Sequence, residues 1–355
     1  GADPDELAQD GVFSASIPAQ DDGDIVRFSI VAATGAGGRA RLPLEPEADP
    51  FRGFQGVFYL YEVDNSSPPD AGAAVFRIIM NPNDSDELED RDEDSNVLLP
   101  ATLICDGEIY YCAGVRYRGE NSRRLPNKAF KIKLPPENSC KGIGNINLLA
   151  GNGNDFGTST FNELLASDLY RRAGEPHPQE WNAVLHFAGV VGRNYDTRYI
   201  RKEAYDDDFL TRFFGGNSGG NLYRPMDPGG LGGFGGGRIM GNLEYQGTDP
   251  DDYRRIYDKR SNEDEDDFSD VIALTRMFDA GETPQAEFRQ RAEELLDVRQ
   301  WARFFAIMAC VTNTDGGIWN DGGEDYFLYR MPFDADRPDA GKWLILCWDL
   351  EETFT

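Results

Sequence analysis

Apolar and polar positions alternate over much of the first two-thirds of this chain, and a helical period takes over in the last third. Val12-Phe-Ser-Ala-Ser-Ile17 and Ile25-Val-Arg-Phe-Ser-Ile-Val-Ala32, parted by Asp21-Asp-Gly-Asp24, predict a hairpin. Strands are expected at Val57–Val63 and Ala74–Met80, with an acidic, solvated loop from Asn83 to Asn96. Asp90-Arg-Asp-Glu-Asp94 hints at a calcium loop, but the glycine and the twelfth-position Glu that such a loop needs are missing. Leu103–Tyr111 reads as a hairpin turning at Asp106-Gly107 and feeding a strand that ends at Arg118. A further strand covers Lys128–Lys133. Thr160 and Glu163 form a capping box for a helix with a Phe161, Leu165, Leu169 stripe, which Gly174 and Pro176 stop. A strand pair follows at Ala183–Phe187 and Tyr195–Arg201, and the glycine-rich Gly215–Gly237 reads as a loop or hinge. Thr283-Pro284 opens one helix, and Asp297 caps another carrying Trp301, Phe304, Phe305 and Met308. Asp325–Arg330 and Lys342–Trp348 close the sequence as a hairpin.

Composition narrows what such a molecule can bind. Its 355 residues, 40% hydrophobic, can build a sizeable core, and this length suggests two or three units of roughly 100–200 residues. The 63 Asp and Glu against 35 Lys and Arg give a net charge of −28, which argues against nucleic acid and anionic membranes as partners. No apolar run approaches the roughly 18 residues of a membrane span. No signal peptide is recognisable, and Gly1–Asp10 reads as an internal segment. Five cysteines lack metal-ligand spacing, and two histidines leave zinc chemistry and a histidine triad poorly supplied. Cys310 and Cys347, in apolar runs, are expected in the core.

Lysine placement singles out one segment. Of seven lysines, four fall between Lys128 and Lys141, just after Arg118-Gly-Glu-Asn-Ser-Arg-Arg-Leu-Pro-Asn. A basic strand in so acidic a molecule suits a polyanion such as a nucleotide triphosphate, and equally suits a solvated face. Strand parity puts Lys128, Phe130, Ile132 and Leu134 on one face and Lys131 and Lys133 on the other. Lys128 then begins the inward face, where its ammonium needs an anion: phosphate oxygens, or the carboxylate of Glu163. Lys131 and Lys133 are expected in solvent, with a phosphate-facing role open to Lys131. Further on, a helix ends in Thr312-Asn-Thr-Asp315-Gly-Gly, Asn320 lies five residues beyond Asp315, and Asp349 follows a buried-looking strand. Lysine strand, helix with Glu, Asp-x4-Asn and strand–Asp is the order of parts that kinase chemistry uses. Turn-forming roles account for the same aspartates taken singly.

Together these segments resemble the spore-coat protein CotH kinase family, whose fold is an atypical protein-kinase-like one. The resemblance runs through Val115-Arg-Tyr-Arg-Gly-Glu-Asn-Ser-Arg123, Lys128-Ala-Phe-Lys-Ile-Lys133, Asn145-Ile-Asn-Leu-Leu149, Asn162–Leu169 with Ala173-Gly174, Lys202-Glu203, Phe209-Leu210, Gly220-Asn-Leu-Tyr223, Asp325-Tyr-Phe-Leu-Tyr329 and Trp348-Asp-Leu-Glu351. It covers roughly residues 56–355. The resemblance implies ATP and Mg²⁺ as cofactors and phosphoryl transfer to serine on secreted or coat proteins. It implies nucleotide contacts by Lys128, Arg118 and Lys131, orientation of Lys128 by Glu163, catalysis by Asp315 and a metal on Asp349. Glu324-Asp325 stands where the family often has His-Asn, so the second metal ligand is either Asn320 or Asp325; Glu351 stands where Asp is common.

The expected fold is therefore α+β and two-lobed: a partial Ig-like β module over 1–45, a strand-rich N-lobe over 46–214, a glycine-rich loop over 215–240 and a C-lobe over 241–355. The expected activity is Mg-ATP-dependent phosphorylation of Ser or Thr on an extracellular, surface or coat protein. Two alternatives stand beside it: a catalytically silent coat or adhesion component, and AMP transfer from the same nucleotide.

Overall fold

Between residues 74 and 203 the alternating segments close on themselves. We describe a computed structural model covering residues 15–33, 35–42, 58–65, 74–119, 121–124, 127–136, 138–150, 156–188, 197–226, 241–313, 318, 325–334 and 340–354. Four short strands come first: β1 (Ile25–Phe28), β2 (Ile30–Ala33), β3 (Arg39–Leu42) and β4 (Tyr59–Glu62). The hairpin expected between 12–17 and 25–32 is not formed as read. β1 pairs with β4, β2 pairs with β3, and residues 15–17 are not strand; 12–14 lie outside the described residues. Ile79 and Leu60 pack together with Ile25 and Ile104, and this apolar contact fixes β1 and β4 against the barrel.

The barrel strands are β5 (Ala74–Ile79), β6 (Leu99–Cys105), β7 (Glu108–Arg118), β8 (Ala129–Lys133), β9 (Asn145–Leu149), β10 (Glu180–Ala188) and β11 (Thr197–Glu203). Their order is β10-β11-β9-β8-β7-β6-β5, and a parallel β10–β5 pair closes the ring. Every second side chain points inward, so Val115, Phe130, Ile132, Ile146, Leu148 and Leu185 fill the interior. At the β6–β7 turn, Asp106 and Gly107 both have positive φ, as a two-residue hairpin requires. A disulfide, Cys105–Cys140, joins the end of β6 to the turn before β9.

The acidic segment after β5 departs from the expected loop. Pro82–Asp90 is a helix, α1, because Asn81 caps it through Asn83 N and Pro82 occupies its first turn, while Leu88 is buried. α2 (Phe156–Arg172) follows β9 and begins four residues before Thr160, so Thr160 is inside the helix and the expected capping box is not formed. That leaves Glu163 available for another role.

The rest of the chain builds a second core. After α3 (Asp207–Phe214) come β12 (Asn221–Pro225), α4 (Pro250–Arg254), β13 (Tyr257–Lys259), α5 (Ser269–Phe278), α6 (Gln285–Leu295), α7 (Val298–Cys310), β14 (Tyr326–Arg330) and β15 (Trp343–Cys347). The glycine-rich stretch is thus not wholly loop: β12 lies within it, and 227–240 lie outside the described residues. Strands β13-β12-β14-β15 form one antiparallel sheet. Asp297 caps α7 by accepting from Gln300 N, and the helix lies against β15. Trp301 donates to the Trp343 carbonyl at 2.9 Å, and Gln300 exchanges two hydrogen bonds with Ile345. Trp301, Phe304 and Met308 are buried as their spacing predicts, whereas Cys310 is exposed and only Cys347 joins the core. α2 bridges the halves, with Tyr170 against Phe304. The fold is α+β. Among the described residues, no helix is long and apolar enough to cross a membrane.

Candidate functional site

Strand pairing carries one row of polar residues across the outer wall of the barrel. Arg116 faces Lys131, Lys131 faces Asn147, Asn147 faces Lys202 and Lys202 faces Glu180. Directly paired residues on adjacent strands share a face, so all five project outward, opposite to Phe130 and Ile132. Lys128 has the phase of Phe130 and is absent from this row.

The expectation for Lys128 therefore needs correction. It is 6% exposed, but its ammonium is held by Glu93 and the Arg123 carbonyl, beside the Tyr117 ring. Glu163 is not its partner. The lysine that Glu163 holds is Lys202, and both side chains are almost fully buried. Glu180 Oε1 lies 3.1 Å from the same ammonium, and the Trp348 ring lies 4.3 Å beneath it. Burial alone would push Lys202 down, but Glu163, Glu180 and Asp349 together raise it above the ordinary lysine range.

Glu163 does more than pair. Its second oxygen accepts from Leu350 N at 2.6 Å, so one carboxylate ties α2, β11 and the turn after β15 together. That turn places Asp349 at φ 49°, in the left-handed region. Burial and the charge of Glu163 raise the Asp349 carboxyl, against the pull of Lys202, Arg118 and Arg224. Glu351 is pushed up to about 9 by burial and then by Asp349. Glu180 is pushed up to about 8 by burial, partly offset by Lys202. Its oxygens are buried and meet no hydrogen-bond geometry among the described residues, although Oε1 is in ion-pair contact with Lys202.

Beside this cluster lies a cavity of about 580 Å³ between the barrel wall and the four-stranded sheet. Among the described residues, Arg116, Arg118, Arg123, Lys131, Arg224 and Arg260 line it, against one carboxylate, that of Asp258, with Tyr205, Phe327 and Trp348 on its apolar side. Burial and the Arg118 charge push Lys131 down to about 7, with Asp206 opposing. Burial and the neighbouring Arg123 and Arg118 push Arg116 down to about 10. Arg118 is lowered by burial, with Asp349 countering. A set of cations that repel one another in a half-enclosed space is stabilised by a polyanion. Lys133, by contrast, is exposed.

The remaining candidates divide. Asp325 directly precedes β14, and the Tyr326–Cys347 register puts it at the same end of the ladder as Asp349. Asp315 and Asn320 lie outside the described residues. Among the described residues no three His, Cys, Asp or Glu groups converge as a ready-made metal site. Carboxylates at Asp349 and Glu351 are nonetheless hard oxygen donors of the kind Mg²⁺ takes, and a divalent cation would offset the burial and the neighbouring negative charge that raise both.

A family model described as "CotH kinase protein" matches residues 115–355, which spans β7 to the end of the chain. The chain belongs to the CotH kinase protein family. It is also 23% identical over 280 residues to the inner spore coat protein H of Bacillus subtilis (strain 168), covering 79% of this chain and 68% of that protein. The matched region holds every member of the polar row. Glu180, Arg224 and Arg260 stand in no segment that carries the resemblance, whereas Arg116 and Lys202 do, without a role assigned to either. The signal available for Lys202 was its alternation phase with Ile200, together with the scarcity of lysine in an arginine-rich set of cations.

Proposed function

We propose that this CotH-family chain binds Mg-ATP in the cationic cleft and transfers its terminal phosphoryl group to a serine or threonine hydroxyl of a coat or surface protein. The observation that carries this reading is Glu163 holding Lys202 with one oxygen and the Leu350 amide with the other, beside Asp349 and next to a cavity lined by six cations. Phosphoryl transfer asks for positioning and charge neutralisation rather than covalent help from the protein. The barrel and the sheet–helix half are read as the two lobes of a kinase-like fold, with the β2–β3 hairpin as part of an appended Ig-like module.

In this reading Arg118 and Lys131 take phosphate oxygens, while Glu163 fixes Lys202 at the base of the cleft. Asp349 would hold the metal, with Asp325 or Asn320 as a second ligand and Glu351 close by; Mg²⁺ would supply charge neutralisation to the phosphates. Asp315 accepts the proton of the acceptor hydroxyl as its oxygen bonds to the γ-phosphorus and the bond to the β-phosphate oxygen breaks, releasing ADP. The Cys105–Cys140 disulfide supports a location outside a reducing compartment. The relative's description as an inner spore coat protein supports a coat location and also favours the second reading, a coat component without catalysis.

Titration with ATP in the presence and absence of Mg²⁺ tests the reading. A ligand at 100 times its Kd adds about 2.7 kcal/mol of stability, so a Mg-dependent rise in unfolding temperature is expected. Mass spectrometry of the chain with serine-containing acceptors then separates three results: added phosphate, added AMP, or no transfer. Added phosphate supports the kinase reading, AMP replaces it, and absence of both nucleotide binding and transfer leaves the coat-component reading.

A further inference from the structure

One charged atom in the cleft lacks what its neighbours have. Nε of Arg224, on β12, is buried without a hydrogen-bond partner among the described residues, although guanidinium donors in such places are normally paired. Arg224 lines the cavity from the sheet side, opposite Arg116 and Arg118 on β7. Its charge is felt by Asp349, by Arg118 and by Arg260, so it lies near both the carboxylate at the turn after β15 and the other cations. It forms no salt bridge among the described residues, whereas Arg260 is held by Asp258 and Arg123 by backbone carbonyls and Asn96.

We infer that Arg224 is the residue that recognises the terminal phosphate of a nucleoside triphosphate, closing the cleft from the sheet side while Arg118 holds the same phosphate from the barrel. This rests on the nucleotide reading above and adds to it a specificity for triphosphate over diphosphate. A planar guanidinium can meet two phosphate oxygens at once, which an ammonium does not. Its charge reaches Asp349, the carboxylate that would hold a metal in the nucleotide reading, and this places it toward the end of the cleft where the terminal phosphate would lie. The phosphates nearer the ribose then fall to Arg116, Lys131 and Arg260.

Isothermal titration of the whole chain with Mg-ATP and Mg-ADP, for wild type and Arg224→Gln, tests the assignment without any acceptor. Wild type is expected to bind ATP more tightly than ADP. Arg224→Gln is expected to lose roughly tenfold or more of its ATP affinity, the size of a charge-assisted hydrogen bond, and to keep its ADP affinity within about twofold. Equal losses for ATP and ADP, or no loss for either, overturn the assignment while leaving nucleotide binding intact. Wild type that binds neither nucleotide overturns the nucleotide reading and this assignment with it. Should Arg224→Gln not fold, Arg224→Lys gives the same comparison, with a smaller loss confined to ATP expected and an unchanged ATP-to-ADP ratio contradicting it.

Discussion

Strands β8 and β11 flank β9 on the same barrel wall, and each brings a lysine out of solvent to a different end. Lys128 stands just before β8, in phase with the barrel interior, and its carboxylate partner Glu93 is 39% exposed on a loop. Lys202 sits in β11 with the outward phase, and its partners Glu163 and Glu180 are themselves buried. The difference lies in what the partner is tied to. Glu93 is a loop carboxylate that water can reach, whereas Glu163 also holds the backbone beside Asp349. The ammonium of Lys202 is thus tied through its counter-ion to the turn at Asp349, and that of Lys128 is not.

Removing either lysine separates the two regions most sharply. Lys202→Met leaves Glu163 buried and uncompensated, and it is expected to cost about 3–5 kcal/mol in urea unfolding and to abolish phosphoryl transfer. Lys128→Met frees Glu93 into water and leaves the Arg123 carbonyl without its donor. It is expected to cost about 1–2 kcal/mol, with nucleotide affinity unchanged. The paired replacement Lys202→Met with Glu163→Leu should recover part of the stability but none of the activity, since both charges leave the interior together while the Leu350 amide loses its acceptor. Equal costs for the two single variants would erase the distinction.

Asp349→Asn comes next in size. It keeps the shape of the turn but removes the carboxylate charge, and at least a tenfold loss of the Mg²⁺ enhancement of ATP binding is expected by calorimetry. Glu180→Gln should have a smaller effect, visible as pH dependence. With Glu180 at about 8 in the folded protein and near 4.5 when unfolded, the folded state binds the extra proton between those values. Its contribution to stability therefore falls as pH rises from about 4.5 to 8. Thermal unfolding of Glu180→Gln should lose that part of the slope and exceed wild type at pH 8.

Reading the fold from sequence succeeded where a local rule decides the structure. The Asp106-Gly107 turn and the Asp297 cap depend on neighbours a few residues apart, and the β14–β15 pair on two alternating runs that are adjacent along the chain. It failed where a longer-range contact competes. Thr160 and Glu163 satisfy the capping-box spacing, yet α2 starts earlier and Glu163 serves Lys202 and Leu350 instead. β12 was hidden because its five residues sit in a glycine-rich stretch and are held by pairing with β13 and β14, distant in sequence. Strand parity at Lys128–Lys133 was legible, but the sequence does not say which face of a barrel wall meets the cleft. That question is settled by the row through Asn147 and Lys202.

The smallest expected effect is on nucleotide affinity near neutral pH. Burial and Arg118 hold free Lys131 at about 7, and bound phosphate favours its charged form, so ATP affinity should fall as pH rises above 7, by at most tenfold per unit for one proton. Lys131→Arg, charged throughout, should flatten that profile.

The most direct test of the cleft itself is labelling with an ATP acyl phosphate, which transfers its acyl group to a lysine beside the bound phosphates, followed by peptide mapping. The polar row predicts acylation of Lys131, suppressed by excess Mg-ATP. Acylation of Lys128 with Lys131 untouched would contradict it.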